Sequence, residues 1–151
     1  MSRFRASAVL VAAFVAAGLS AGVANAAGPV QLKSRLGDWC LDGPGSNAAA
    51  VLNRCAGSQT QMWDVDAGGQ IRSVAFPQQC LSISTGADTT PATLAPCQVN
   101  ASNQRWNSQG DGQLVSLGAC LNVNGGVAQP GTAVIAYRCL ADVTDEQWDT
   151  V

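Results

Sequence analysis

A four-part signature recurs three times along this chain, and it limits the possible folds more than any other feature. Cys-Leu stands at Cys40-Leu41, Cys80-Leu81 and Cys120-Leu121, at intervals of 40 residues. A second cysteine follows 15, 17 and 19 residues later, at Cys55, Cys97 and Cys139. Trp63, Trp106 and Trp148 come 8 or 9 residues further on. Ahead of each Cys-Leu runs a short alternating segment: Gln31-Leu32-Lys33-Ser34, Gln70-Ile71-Arg72-Ser73 and Gln113-Leu114-Val115-Ser116. Landmarks in constant order define an internal repeat, with units at about residues 29–66, 67–109 and 110–151.

The local pattern within each unit is that of strands. Apolar and polar residues alternate over a few positions, as in Leu121-Asn122-Val123, the period of a half-buried strand. Turn formers then interrupt: Asp42-Gly43-Pro44-Gly45-Ser46-Asn47, Gly86-Ala87-Asp88, Asn124-Gly125-Gly126 and Gln129-Pro130-Gly131-Thr132. Short apolar runs follow them at Val51-Leu52, Thr93-Leu94 and Val134-Ile135-Ala136. No segment beyond the N-terminal stretch sustains a helical period for three turns. Propellers take roughly four or more blades, so three units of short strands closed on one another are expected, with no sheet edge left open.

The first residues carry a different signal. Arg3 and Arg5 precede an Ala/Val-rich stretch, and Ala24-Asn25-Ala26 offers the small-x-small pattern of a signal-peptidase site. A membrane anchor is the competing reading, because the apolar stretch approaches spanning length. The reading adopted is a cleaved signal over residues 1–26, a secreted domain over residues 27–151, and no membrane span after cleavage. The remaining chain has six basic and ten acidic residues, a net charge of −4. With no basic cluster, it is unsuited to nucleic acid, whose phosphates demand concentrated Lys and Arg.

Six cysteines in an exported chain imply an oxidised framework. Pairing within units gives Cys40–Cys55, Cys80–Cys97 and Cys120–Cys139, and a bridge between chain ends would break the repeat. Each such loop is worth about 3 kcal/mol in the chain-entropy account.

Together these landmarks resemble the ricin B-type lectin family, whose repeated Gln-x-Trp appears here as Gln61-Met62-Trp63 and Gln104-Arg105-Trp106. The third copy departs from it as Glu146-Gln147-Trp148. The resemblance covers about residues 29–151 and implies an all-β fold, a β-trefoil of three four-stranded repeats with pseudo-threefold symmetry. Trp63, Trp106 and Trp148 are then core residues whose indole N–H needs an internal partner. Glu146 would be costly if buried and charged without one. Trp39 lies outside the repeat register, since Gln79 and Ala119 precede the equivalent cysteines, and both local packing and surface contact are open to it.

The resemblance also implies where a sugar would sit: an acceptor two residues after the first cysteine, a stacking ring two before the second, and a polar residue before Gln-x-Trp. In the first unit these are Asp42, Asn53 and Thr60, an acid without a ring; Asp42 also heads a turn that it is suited to cap. The second unit has Ser82, Ala95 and Asn103, with neither acid nor ring. The third has Asn122, Tyr137 and Asp145, with Tyr137 the single tyrosine of the chain. Asn122, Tyr137 and Asp145 are therefore the candidate carbohydrate site and Asp42 a weaker one. Plain surface charge is the competing role for Asp145.

Catalysis has little material to work with. The chain lacks histidine, and the repeat pairs all six cysteines, so no imidazole base, thiol nucleophile, metal site or cofactor is expected. Two functions remain. One is a non-catalytic extracellular module binding a galactose-like sugar or a polysaccharide. The other is a carbohydrate-silent trefoil that binds a protein or serves as a secreted scaffold. Asn100-Ala101-Ser102 is a sequon that a eukaryotic secretory pathway can glycosylate.

Overall fold

The computed structural model describes residues 28–151, so the expected signal at residues 1–26 lies outside the described residues. Twelve strands follow in three sets of four. The first unit contributes β1 (Leu32–Ser34), β2 (Trp39–Asp42), β3 (Val51–Arg54) and β4 (Trp63–Val65). The second contributes β5 (Ile71–Ser73), β6 (Gln79–Ile83), β7 (Ala92–Pro96) and β8 (Asn107–Ser108). In the third they are β9 (Leu114–Ser116), β10 (Ala119–Val123), β11 (Thr132–Arg138) and β12 (Trp148–Thr150). Each alternating segment becomes the first strand of its unit, each Cys-Leu lies on the second, and each apolar run lies on the third. This is a β-trefoil.

All pairings are antiparallel, in an eight-stranded sheet ordered β12-β1-β2-β3-β11-β10-β9-β8 and a four-stranded sheet ordered β4-β5-β6-β7. Units join at both ends. At one, β4 pairs with β5, β8 with β9, and β12 with β1, which ties Thr150 to Leu32. At the other, the hairpins β2–β3, β6–β7 and β10–β11 bond to each other. The Ala50 N–H donates to Ala92 O at 2.8 Å, Ala136 N–H to Thr90 O at 2.8 Å, and Val134 N–H to Ala50 O at 3.2 Å. Backbone groups that would form open edges are thereby paired across unit boundaries.

The core lies where equivalent apolar positions of the three units meet. Leu32, Ile71 and Leu114, then Leu41, Leu81 and Leu121, and finally Trp63, Trp106 and Trp148 are buried in one cluster. Full burial of each such side chain is worth roughly 1.5–3 kcal/mol. The indoles are held alike: Trp63, Trp106 and Trp148 Nε1 donate to the carbonyls of Leu41, Leu81 and Leu121 at 3.2, 3.0 and 2.9 Å. Packing is uneven at one place. Gly43 stands where Ile83 and Val123 stand in the other units, and a Cβ there would meet Trp63 Cη2 and Leu94 Cδ1 at 2.8 Å.

The disulfides close within units, Cys40–Cys55, Cys80–Cys97 and Cys120–Cys139, and no cysteine among the described residues is free. Trp39 is 7% exposed and packs into the core cluster, with the Arg54 guanidinium 4.4 Å above its ring. Its cross-strand register with Arg54 accounts for this contact, and of the two readings open to Trp39 the structure takes local packing.

Candidate functional site

Strand geometry decides which side chains converge in the third unit. Asn122 faces Ile135 across the β10–β11 ladder, and Cys120 faces Tyr137. Residues two apart on a strand share a face, so Asn122, Ile135 and Tyr137 lie on one side of the hairpin. The single-turn 3₁₀ helix Thr144–Glu146, just before Trp148, brings Asp145 to the same side. Together with Asn124, Gly125 and Leu140 they line a cleft of about 390 Å³. Ile135 and Tyr137 supply an apolar face, while Asn122 and Asp145 supply polar atoms. The Arg138 guanidinium sits 5.6 Å from the Tyr137 ring centroid and is anchored on Asp88.

Beneath the cleft a buried network repeats with threefold regularity until its last member. Gln61 Oε1 accepts from the Ala56 N–H at 2.7 Å, and Gln61 Nε2 donates to Arg54 O at 2.8 Å. Gln104 does the same with the Gln98 N–H at 2.9 Å and Pro96 O at 2.9 Å. Glu146 keeps only the accepting half: its Oε2 takes the Leu140 N–H at 2.8 Å and Gln113 Nε2 at 3.1 Å. Its other oxygen, Oε1, takes Asn122 Nδ2 at 3.3 Å. Glu146 is fully buried, and burial pushes its pKa above the ordinary carboxylate value. The Leu140 N–H and the Asn122 amide oppose that rise, the neighbouring Asp145 charge adds to it, and Gln113 opposes it.

Asn122 itself is 4% exposed, and its Nδ2 also donates to Asp145 Oδ2 at 3.4 Å. Asp145 is half-buried and engaged with Asn122, which distinguishes it from Asp149, an exposed acid paired with Arg35. No described residue donates to Asn122 Oδ1. Ser82 Oγ is the one buried side-chain polar atom without a partner among the described residues, and Asn122 lines the cleft.

The equivalent places in the other units are arranged differently. Asp42 Oδ2 accepts from Asn53 Nδ2 at 3.0 Å and Gln61 Nε2 at 3.2 Å, so this oxygen serves the interior network and does not cap the following turn. Asn53, at the ring position, has its own carbonyl occupied by the Gly131 N–H of the third unit at 3.0 Å. In the second unit Ser82 is too short to meet Gln104, and a small hollow of about 190 Å³ remains between Ser82, Thr93, Ala95 and Asn103. A separate groove of about 280 Å³ runs past Asp66, Gln70, Arg72 and Arg105 without an aromatic ring. Asn100 at its rim is exposed, and its Oδ1 accepts from Arg105. Among the described residues, no group of His, Cys, Asp and Glu is placed to hold a metal ion.

Sequence reasoning missed Glu146 as a member of the site. The available signal was its place in the third Gln-x-Trp copy, where an acid replaces the amide, together with Asn122 in place of an acid.

Comparison with known proteins agrees with this architecture. The chain is 46% identical over 146 residues to an uncharacterized protein of Mycobacterium tuberculosis, covering 95% of this chain and 90% of that one. The designed threefold-symmetric protein ThreeFoil superposes with a TM-score of 0.72 at 23% identity, over 82% of this chain and 97% of the design. The β-trefoil lectin of the Vibrio vulnificus hemolysin/cytolysin, solved with N-acetyl-D-lactosamine bound, superposes with a TM-score of 0.65 at 25% identity, over 82% and 93% of the two chains. The ricin-type beta-trefoil lectin domain matches residues 28–149. With that match spanning nearly every described residue, the chain belongs to the ricin-type β-trefoil lectin family.

Proposed function

We propose that this protein is a secreted lectin-like module that binds a galactose-like sugar or a polysaccharide through the third-unit cleft. One observation carries the reading. Tyr137, Asn122 and Asp145 line a single cleft, with a ring for stacking and an Asn122 carbonyl oxygen that no described residue's donor engages. Pockets of roughly 300–1,000 Å³ accommodate small ligands, and the cleft of about 390 Å³ falls at the small end, suited to one or two sugar rings. The Vibrio vulnificus lectin, which binds N-acetyl-D-lactosamine, supplies the first ligand to try. Export rests on the positive n-region and Ala24-Asn25-Ala26 at the N-terminus.

A single stacked ring with a few water-competed hydrogen bonds gives modest affinity, so multivalent presentation is the appropriate assay. A glycan array probed with the mature chain should give signals on galactose-terminated structures that Tyr137→Ala abolishes. The second reading, a carbohydrate-silent trefoil that binds protein, is favoured by the occupied first-unit position, where Asn53 is committed to Asp42 and Gly131. No array signal under multivalent display would select it.

A further inference from the structure

We infer that Glu146 is the positioning residue of the third-unit cleft: it holds the Asn122 amide nitrogen inward so that the Asn122 carbonyl oxygen faces the ligand, and protonation of Glu146 releases that hold. The inference rests on the carbohydrate reading for its ligand but not for its geometry.

Comparison of the units leads to it. In the first, an amide at the Gln-x-Trp position donates to a carboxylate: Gln61 Nε2 to Asp42 Oδ2. In the third, a carboxylate at that position accepts from an amide: Asn122 Nδ2 to Glu146 Oε1. Both residues are exchanged together, so the contact persists with donor and acceptor reversed. Exchanging only the Gln-x-Trp residue would set two carboxylates against each other, and exchanging only its partner would leave an amide pair with no charge to fix which way each turns.

The direction of the Asn122 amide follows from charge. Its Nδ2 lies 3.3 Å from Glu146 Oε1 and 3.4 Å from Asp145 Oδ2. Turning the amide over would point its carbonyl oxygen at two carboxylate oxygens, an acceptor against acceptors. While Glu146 is ionised, the cleft is therefore offered a neutral oxygen with the negative charge one layer below. Such an acceptor suits the hydroxyls of an uncharged sugar, and Asp145 and Glu146 together disfavour a sialylated or uronate ligand.

A proton taken up from solvent changes this. Protonated Glu146 becomes a donor, whose natural acceptor is the Asn122 carbonyl, and the amide turns to place its NH₂ in the cleft. The charged groups around Glu146 support such behaviour. Asp145 is the acid beside it on its own turn, and β10 and the segment Asn124–Gly126 bring no charge. Lys33 on β1 is paired with Asp38, and no basic side chain among the described residues bridges to Glu146. Its raised pKa is consistent with a proton returning under mild acid.

The test uses the mature chain and the variants E146Q, N122D and N122D/E146Q. The Asn122 side-chain amide is followed by ¹H–¹⁵N NMR from neutral to mildly acid pH, and binding is measured to a polymer bearing N-acetyl-D-lactosamine. The Asn122 amide resonances should titrate with one midpoint above the ordinary carboxylate value, and E146Q should abolish that titration. E146Q should weaken polymer binding about tenfold, the loss of one well-placed hydrogen bond. N122D/E146Q, which rebuilds the first-unit pair, should restore it to within about threefold. An Asn122 resonance indifferent to pH and to E146Q would overturn the inference, as would a folded double variant binding no better than E146Q. If the wild-type chain ignores the polymer, the carbohydrate reading fails, and the amide titration still decides the role of Glu146.

Discussion

Asn122 donates its side-chain amide to Glu146 across 3.3 Å in the third unit, the reverse of the first unit, where the Gln61 amide donates to Asp42 across 3.2 Å. A contact between the second strand and the turn before the tryptophan is thus kept while the charge moves from one side to the other.

That exchange predicts strong non-additivity. Asn122→Asp places a second carboxylate against Glu146 and Asp145 and should cost about 2–3 kcal/mol at neutral pH, since two adjacent buried acids resist joint ionisation. In the E146Q background the same substitution should cost less than about 1 kcal/mol, because the glutamine introduced there can donate as Gln61 does. Urea unfolding of the four chains in the cycle measures the coupling.

Glu146 also gives stability a pH dependence of known sign. Its folded pKa is raised, so the folded state holds its proton more tightly than the unfolded state. The contribution of this group is most favourable below the unfolded carboxylate pKa and is lost as pH rises through the folded value. Asp88 acts oppositely: its pKa is lowered by the Arg138 side chain and backbone N–H, so its contribution is present at neutral pH and lost as acid protonates it. Glu146→Gln removes only the first effect. The variant should melt a few degrees above wild type at neutral pH, and the gap should close under acid; a gap independent of pH would contradict the assignment.

Ser82 and Ser73 offer a matched pair. Both hydroxyls are buried, but Ser73 Oγ accepts from the Phe76 N–H at 3.0 Å whereas Ser82 Oγ has no partner among the described residues. Ser73→Ala should cost about 1 kcal/mol and Ser82→Ala should be neutral or stabilising by up to about 1 kcal/mol. Chemical denaturation of both variants checks the contrast.

Gly69 is fixed by the backbone. It has φ +82°, and a Cβ there would collide with the Trp106 carbonyl oxygen, beside the 2.9 Å bond from the Trp106 N–H to Gly69 O. Gly69→Ala should destabilise by about 2–4 kcal/mol, with positive-φ strain and a backbone clash acting together. A melting temperature close to wild type would show that this junction yields more readily than the geometry implies.

Most of the fold was legible in the sequence because the repeat ties each strand to a landmark. Cys-Leu marks the second strand, and the tryptophan indoles return to the carbonyls of those same leucines. Less could be read of the site. The family resemblance implied Asn122, Tyr137 and Asp145 as the site positions, but amide orientation depends on neighbours that only the folded chain assembles. Glu146 takes hydrogen bonds from Gln113, Asn122 and the Leu140 backbone, each distant or hidden in sequence. Asp42 heads a turn of the kind aspartates often cap, yet Asn53 and Gln61 hold its Oδ2. For Trp39 the repeat offered no equivalent, so its burial under Arg54 emerged only from the β2–β3 register.

Whether the third unit carries the sugar is decided by titrating the ¹⁵N-labelled chain over residues 27–151 with N-acetyl-D-lactosamine. Shifts should concentrate on Asn122, Asn124, Gly125, Tyr137, Leu140 and Asp145, and Tyr137→Ala should remove them. Shifts centred on Asp42 or Ser82, or none at millimolar sugar, would contradict that assignment.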